Sequence, residues 1–320
     1  MGIREFDRLF DLQNEGFFFR WFSPRTDVII NNTVANGKVI RNLAALKRPI
    51  ATYVHELESV IQFYNRNGSS LLTFRYSEFF ISPSQAVANN LLSMHNINSE
   101  KIFYLNYFVP LETIPGIDKI KAREHLFRGF NIPVGKFCVV GMGTATHRKG
   151  IDIFVKTCQL VSRVKKDIHF VWIGDFEEEG TRTKTLQTIR QYSVEESLTL
   201  TGRIPNSPTN LLPFDLFILT SREDPYPMVI LEAASLKLPA ICFERSGGAA
   251  EFIGKDCGWA LPGFSAEGMA EKILELREKP EMIKQAGLRA YEKATVMHTD
   301  ERLVQNQFDS LIKKIKISEG

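Results

Sequence analysis

Two carboxylates eight residues apart, Asp224 and Glu232, stand in the segment Ser221-Arg222-Glu223-Asp224-Pro225-Tyr226-Pro227-Met228-Val229-Ile230-Leu231-Glu232. An apolar run ends at Thr220, and the spacing beyond it predicts a helix starting near Pro227 or Met228. A loop at such a strand-to-helix crossing lies at the C-terminal edge of a parallel sheet, where open α/β folds bind ligands. The first N–H groups of the helix lack internal partners, so they suit a diphosphate. Ionised carboxylates only accept hydrogen bonds, so two of them reaching from different directions can grip sugar hydroxyls. The same pair also fits a capping acid followed by a solvent-facing helix acid.

A second constellation, Gly141-Met142-Gly143-Thr144-Ala145-Thr146-His147-Arg148-Lys149-Gly150, follows another apolar run. Its glycines miss the spacing of a dinucleotide fingerprint, and two bases sit at the helix entrance. That arrangement fits phosphate better than a nicotinamide cofactor, with Lys149 as a point charge and Arg148 as a fork. A third segment, Gly247-Gly248-Ala249-Ala250-Glu251, offers either a close backbone approach to a ligand or a plain turn.

The elements that must position these residues alternate. Short β-branched runs at 27–30, 49–54, 79–81 and 101–107 are predicted as strands, with helices over 34–46 and 85–94. Ser82-Pro83-Ser84 reads as a cap for the second helix. Pro and Gly punctuate 109–135 around one charged helix near 117–128, as in a linker between domains. The rhythm then restarts, with strands at 137–141, 168–173, 198–201, 216–219 and 240–243. Helices are expected at 151–163, 181–192 and 228–236, and in pieces from Ala266 onward. The expected division is 1–112, 113–298 and a last helix, 299–320, packing back on the N-terminal domain. Residues 1–26 are charged and aromatic where an apolar opening strand and glycine turn are usual, so the N-terminal domain reads as abbreviated.

The 320 residues suffice for two ordinary domains, and 44% hydrophobic with 24% charged residues is a globular profile. A net charge of +3, with bases scattered, gives no reason to expect nucleic acid. Cys138, Cys158, Cys242 and Cys257 lack metal or redox spacing and predict a reducing setting. The charged start MGIREFDRLFD and the lack of a long apolar run predict a cytoplasmic chain without a signal peptide or membrane span. The aromatic-basic stretch Phe17 to Arg25 suits either packing inside the domain or peripheral membrane contact.

From Asp27 onward the chain resembles the GT-B glycosyltransferases, specifically the retaining family 4. The family's acidic signature, Glu, seven residues, Glu-Ala, has Asp224 at its first position and Glu232 at its second. Supporting matches are Lys149-Gly150-Ile151-Asp152, Trp172-Ile173-Gly174-Asp175, Thr201-Gly202-Arg203, Asp215-Leu216-Phe217 and Gly247-Gly248 with Glu251. In the N-terminal part, Tyr53-Val54-His55-Glu56-Leu57 and Ile81-Ser82-Pro83-Ser84 match too.

The resemblance implies an α/β fold of two Rossmann-like domains facing a cleft. It implies transfer of a hexose, with UDP-glucose the first choice of donor, to a saccharide or lipid-linked acceptor. Lys149, with Arg148, would neutralise the leaving diphosphate beside Gly143; the family's usual Arg falls on Thr144. Glu232 would hold the ribose, and the backbone near Arg203 and Ile204 would read the base. Asp224, with the backbone around Tyr226, Pro227, Met228 and Val229, would contact the transferred sugar and the phosphates. His55, reaching across the cleft, would bond a sugar hydroxyl. No Asp-x-Asp occurs, so no metal and no cofactor beyond the nucleotide sugar is expected. The alternative from another class is a non-catalytic nucleotide-sugar-binding partner or regulatory subunit.

Overall fold

A computed structural model describes residues 26–109, 118–205 and 208–317. They form an α/β protein of two compact units. The first comprises the described residues up to Tyr107 together with those from Glu301 onward; the second runs from Phe108 to Asp300.

The second unit holds six parallel strands: β5 (Phe137–Met142), β6 (Ile168–Ile173), β7 (Leu198–Gly202), β8 (Leu216–Ile218), β9 (Ala240–Phe243) and β10 (Gly258–Leu261). Their spatial order is β10-β9-β8-β5-β6-β7, so the chain winds outward from β5, reverses, and winds outward again from β8. The strands are nearly continuous apolar runs because both faces are covered. Cys138, Val140, Val171, Phe217 and Cys242 point into one core. Val139, Phe170, Trp172, Ile218 and Phe243 point into the other. Period-two alternation thus splits β5, β6, β8 and β9 between two cores. The helix Ile151–Val164 buries Phe154, Val155 and Cys158 in the second core. The helix Pro280–His298 contributes Ala290 and Ala294 to the first. All four cysteines are free and buried, and burial pushes the thiols of Cys138, Cys158 and Cys242 up to about 12.

In the first unit, β1 (Ile29–Asn31), β2 (Ile50–Tyr53), β3 (Phe79–Ser82) and β4 (Ile102–Tyr104) pair in parallel in that order. One face, with Ala51, Tyr53, Phe79 and Ile81, packs against Leu311 and Ile315 of the last helix, Glu301–Ile317. The other packs Phe80 and Val54 against Ile61, Val87 and Leu91. Ser84 caps the helix Gln85–His95 by accepting from Val87 N at 3.2 Å, as its position predicts.

Several expectations shift. The predicted helix over 34–46 is a helix only over Gly37–Leu43, flanked by tight three-residue turns. Two helices, Glu58–Asn65 and Ser69–Tyr76, and the strand β10 were not foreseen. The turn expected at Gly247 leads into a short helix, Gly248–Ile253. Phe17 to Arg25 lies outside the described residues. Among the described residues no helix is long and apolar enough to cross a membrane.

Candidate functional site

The strand order reverses between β5 and β8, and the loops leaving the C-terminal ends of these two neighbours are 143–150 and 219–227. This is the topological switch point, where divergent crossovers leave a crevice at the sheet edge. Lys149 comes from the first loop and Asp224 from the second. The fold brings them together: Lys149 Nζ donates to Asp224 Oδ2 at 2.5 Å.

Close approach of the two loops depends on Gly150. Its φ is +73°, and a Cβ there would stand 1.9 Å from the Thr220 carbonyl oxygen. A backbone in the left-handed region with no room for a side chain requires glycine. The loops are then laced by hydrogen bonds. Arg222 N donates to Arg148 O at 2.8 Å, and Thr220 Oγ1 donates to Lys149 O at 3.1 Å. Arg148 Nη1 donates to Glu223 O at 2.8 Å, so this guanidinium is turned toward the neighbouring loop. Arg222 forks onto both carboxylate oxygens of Asp152, at 2.8 and 2.7 Å, and also donates to His147 O. Burial pushes the Asp152 carboxyl up, but the Arg222 hydrogen bond and charge outweigh it and hold the acid below its ordinary value.

Asp224 is 5% exposed. Its carboxylate also accepts from Ser221 Oγ at 3.3 Å, and its N–H donates to Ser246 O at 2.6 Å. Gly248 N in turn donates to the carbonyls of Asp224 and Pro225, so the Gly247-Gly248 segment closes on the acidic loop. Gly143, with φ +142°, accepts from Trp172 Nε1 at 3.1 Å and lies beside the Lys149 stem.

The helix Met228–Ser235 starts at Pro227 with no side chain capping it. Its first N–H groups, those of Met228 and Val229, keep the unpaired character of a helix start, and Met228 is exposed. Glu232 lies one turn further in. Among the described residues its carboxylate has no hydrogen-bond or ion-pair partner, and burial alone raises its pKa above the ordinary value. Ile204, Tyr226 and Val229 pack against one and the same large core, and Arg203 is exposed. Among the described residues no group of three or more His, Cys, Asp or Glu could hold a metal ion.

His55 belongs to the first unit. Its ring lies against Tyr53 at 4.1 Å and stacks on Tyr107 at 5.8 Å. Nε2 is 2.8 Å from Asn32 Oδ1 and Nδ1 is 2.5 Å from the Tyr107 hydroxyl. An N–H on Nε2 donating to Asn32 leaves Nδ1 to accept from Tyr107. Burial lowers the His55 pKa. The next residue, Glu56, is buried with its pKa raised by burial, and its carboxylate accepts from Thr33 Oγ1 at 2.5 Å and His55 N at 2.9 Å.

The sequence reading singled out Asp224, Glu232, Lys149 and Arg148, but it missed what positions them. Ser221, Arg222 and Asp152 lay inside segments already quoted, and a charged pair flanking both loops was the available signal. Asn32 and Tyr107 carried none, being remote in sequence from His55.

Known proteins are similar to this chain in sequence and in fold. The sequence profile of the glycosyl transferases group 1 matches residues 122–293. An alpha-galactosylglucosyldiacylglycerol synthase of Streptococcus pneumoniae is 29% identical over 232 residues, covering 70% of this chain and 56% of that protein. A poly(ribitol-phosphate) alpha-N-acetylglucosaminyltransferase of Staphylococcus aureus is 26% identical over 228 residues, covering 70% of this chain and 42% of that protein. The chain thus spans about half the length of these curated relatives. The crystal structure of Anabaena Alr3699/HepE in complex with UDP and glucose superposes with a TM-score of 0.78 at 18% identity, covering 92% of this chain and 79% of that one. The fold is therefore that of the GT-B glycosyltransferases.

Proposed function

This chain is a member of the glycosyl transferases group 1 family, and from that premise we propose that it moves a hexose, glucose in the first instance, from a UDP-sugar to a saccharide or lipid-linked acceptor. The observation that carries the reading is the joining of Lys149 to Asp224 at the switch point, beside an uncapped helix start and the unpartnered Glu232 carboxylate. Cation, free amides and spare acceptor together suit a diphosphate bearing two sugars. The acceptor class is supported by the named relatives, whose products are a diacylglycerol glycoside and a decorated poly(ribitol phosphate). The donor is supported by a structural neighbour that holds UDP and glucose.

In this reaction the bond from the anomeric carbon to the β-phosphate oxygen breaks and a bond to the acceptor oxygen forms on the same face. The acceptor's proton passes to the leaving phosphate oxygen. Lys149 and the amides of Met228 and Val229 neutralise the growing negative charge, a task they perform without a metal. Asp224 aims the Lys149 ammonium and Glu232 accepts from the ribose hydroxyls. Retention agrees with the α products in both relatives' names, since UDP-glucose itself carries an α-linked phosphate.

The test is calorimetric titration with UDP-, GDP- and ADP-glucose, followed by hydrolysis of the bound one with EDTA present. The expected result is binding of UDP-glucose and slow release of glucose that EDTA leaves unchanged. Lys149→Ala should lower that release about 100-fold. Binding without release points instead to a nucleotide-sugar-binding partner, and absence of binding to all three rejects the site.

A further inference from the structure

His298 is 1% exposed and ends the helix Pro280–His298, two residues before the chain leaves the second unit. Burying an imidazole is costly unless its nitrogens are used. Its Nε2 lies 3.1 Å from the hydroxyl of Tyr226, whose ring centroid is 5.8 Å from the imidazole. The ring of Phe252, in the helix that follows Gly247, closes the other side at 6.0 Å. The His298 carbonyl accepts from Val109 N at 2.8 Å, and Val109 is the second residue after the chain enters this unit. His298 is therefore joined to the acidic loop by its side chain and to the start of the unit by its backbone.

The acidic loop gives that contact unusual leverage. Tyr226 stands between Pro225 and Pro227, whose rings fix their own φ angles. Among the three residues between Asp224 and the helix Met228–Ser235, only Tyr226 has a φ that no ring fixes. A side-chain anchor there sets where Asp224 and those amides point relative to each other.

We propose that His298 is a positioning residue for donor binding: its hydrogen bond to Tyr226 holds the acidic loop in the geometry that meets the diphosphate and the transferred sugar. The proposal rests on the UDP-sugar reading above. It predicts that His298 acts on the diphosphate and sugar, while base and ribose are met by other residues.

Affinity for UDP-glucose and for UMP, which lacks the β-phosphate and the sugar, should be measured by calorimetry in wild type, H298L, H298Q, Y226F and the H298L/Y226F double variant. Y226F removes only the hydroxyl and keeps the ring, so it tests the bond even where H298L folds poorly. Loss of one hydrogen bond should weaken UDP-glucose binding about threefold to tenfold in both H298L and Y226F. The double variant should be no weaker than either single one, because the bond is already broken. H298Q, whose amide can reach the same hydroxyl, should recover most of the affinity, and UMP binding should hold within about twofold throughout. Unchanged UDP-glucose affinity in Y226F, or equal loss of UMP and UDP-glucose in both single variants, would overturn the positioning role while leaving the donor reading intact. A wild-type protein that binds neither nucleotide overturns both.

Discussion

Burial without a hydrogen-bonding partner makes the Glu232 carboxyl a weaker acid than a solvated glutamate. The ionised form accepts charge-assisted hydrogen bonds through both oxygens, so protonation weakens its grip on ribose hydroxyls. UDP-glucose has no phosphate that titrates between pH 5 and 8, which leaves the protein as the source of any change. Its affinity should therefore fall as pH drops from 7 toward 5, earlier than an ordinary glutamate would dictate. Glu232→Gln, which cannot ionise, should bind more weakly at pH 7 and lose that part of the slope; calorimetry across the range checks both. An affinity that falls no earlier than an ordinary glutamate dictates, with the same profile in Glu232→Gln, would remove Glu232 from the ribose. Acids beside a helix start also serve the helix dipole, so Glu232, Asp224 and Lys149 were legible in sequence only through their match to the family's acidic signature and Lys-Gly segment. The bond between Lys149 and Asp224 was not, since 75 residues separate the partners and only the strand order joins them. A separation of 72 residues likewise hid His298, which reads as an ordinary histidine until Tyr226 is seen beside it.

Two loops rather than two residues make up the site, and Gly150 governs how closely they meet. Gly150→Ala combines a left-handed φ of +73° with a Cβ 1.9 Å from the Thr220 carbonyl oxygen. The backbone conformation alone costs about 1–2 kcal/mol, and the overlap adds to it by forcing the loops apart. The variant should lose at least about 2 kcal/mol in urea unfolding and bind UDP-glucose more weakly than the stability loss explains. Stability within about 0.5 kcal/mol of wild type would show that the loops can separate freely. At this scale the alternation of strands and helices was legible, because strands buried on both faces spell continuous apolar runs. The helices Glu58–Asn65 and Ser69–Tyr76 were not. The second buries Ser69, Ser70 and Thr73 while Leu71 is 63% exposed and Phe74 only half-buried, so its most buried positions are polar ones. Thr73 Oγ1 bonds Val34 O and Ser70 Oγ bonds Ile61 O, which satisfies polar groups that a hydrophobic pattern cannot report.

The stability of the whole molecule should depend on pH through His169, buried in β6 with Nε2 2.9 Å from Thr199 Oγ1. Burial, helped by the Lys136 charge, lowers its pKa from 6.5 to about 4. The unfolded chain takes up that proton first as pH falls, so the stabilisation is complete above pH 6.5 and lost progressively down to about pH 4. The loss should be on the order of 2–3 kcal/mol. His169→Gln should be less sensitive across that window, read as the difference in urea midpoints between pH 7 and pH 4.5. Equal acid sensitivity in both proteins would show that other groups govern it.

The last helix, Glu301–Ile317, covers the sheet face that presents Ala51, Tyr53, Phe79 and Ile81. During synthesis those strands leave the ribosome before their cover, which follows roughly 190 residues later, on the order of 10–40 s at 5–20 residues per second. For that interval the nascent sheet lacks this helix on its apolar face, and by the interval's end the second unit has every one of its described strands and both its cores. Of the two units the one translated earlier is thus the later to finish folding, and a chaperone that shields apolar surface would find its binding face there.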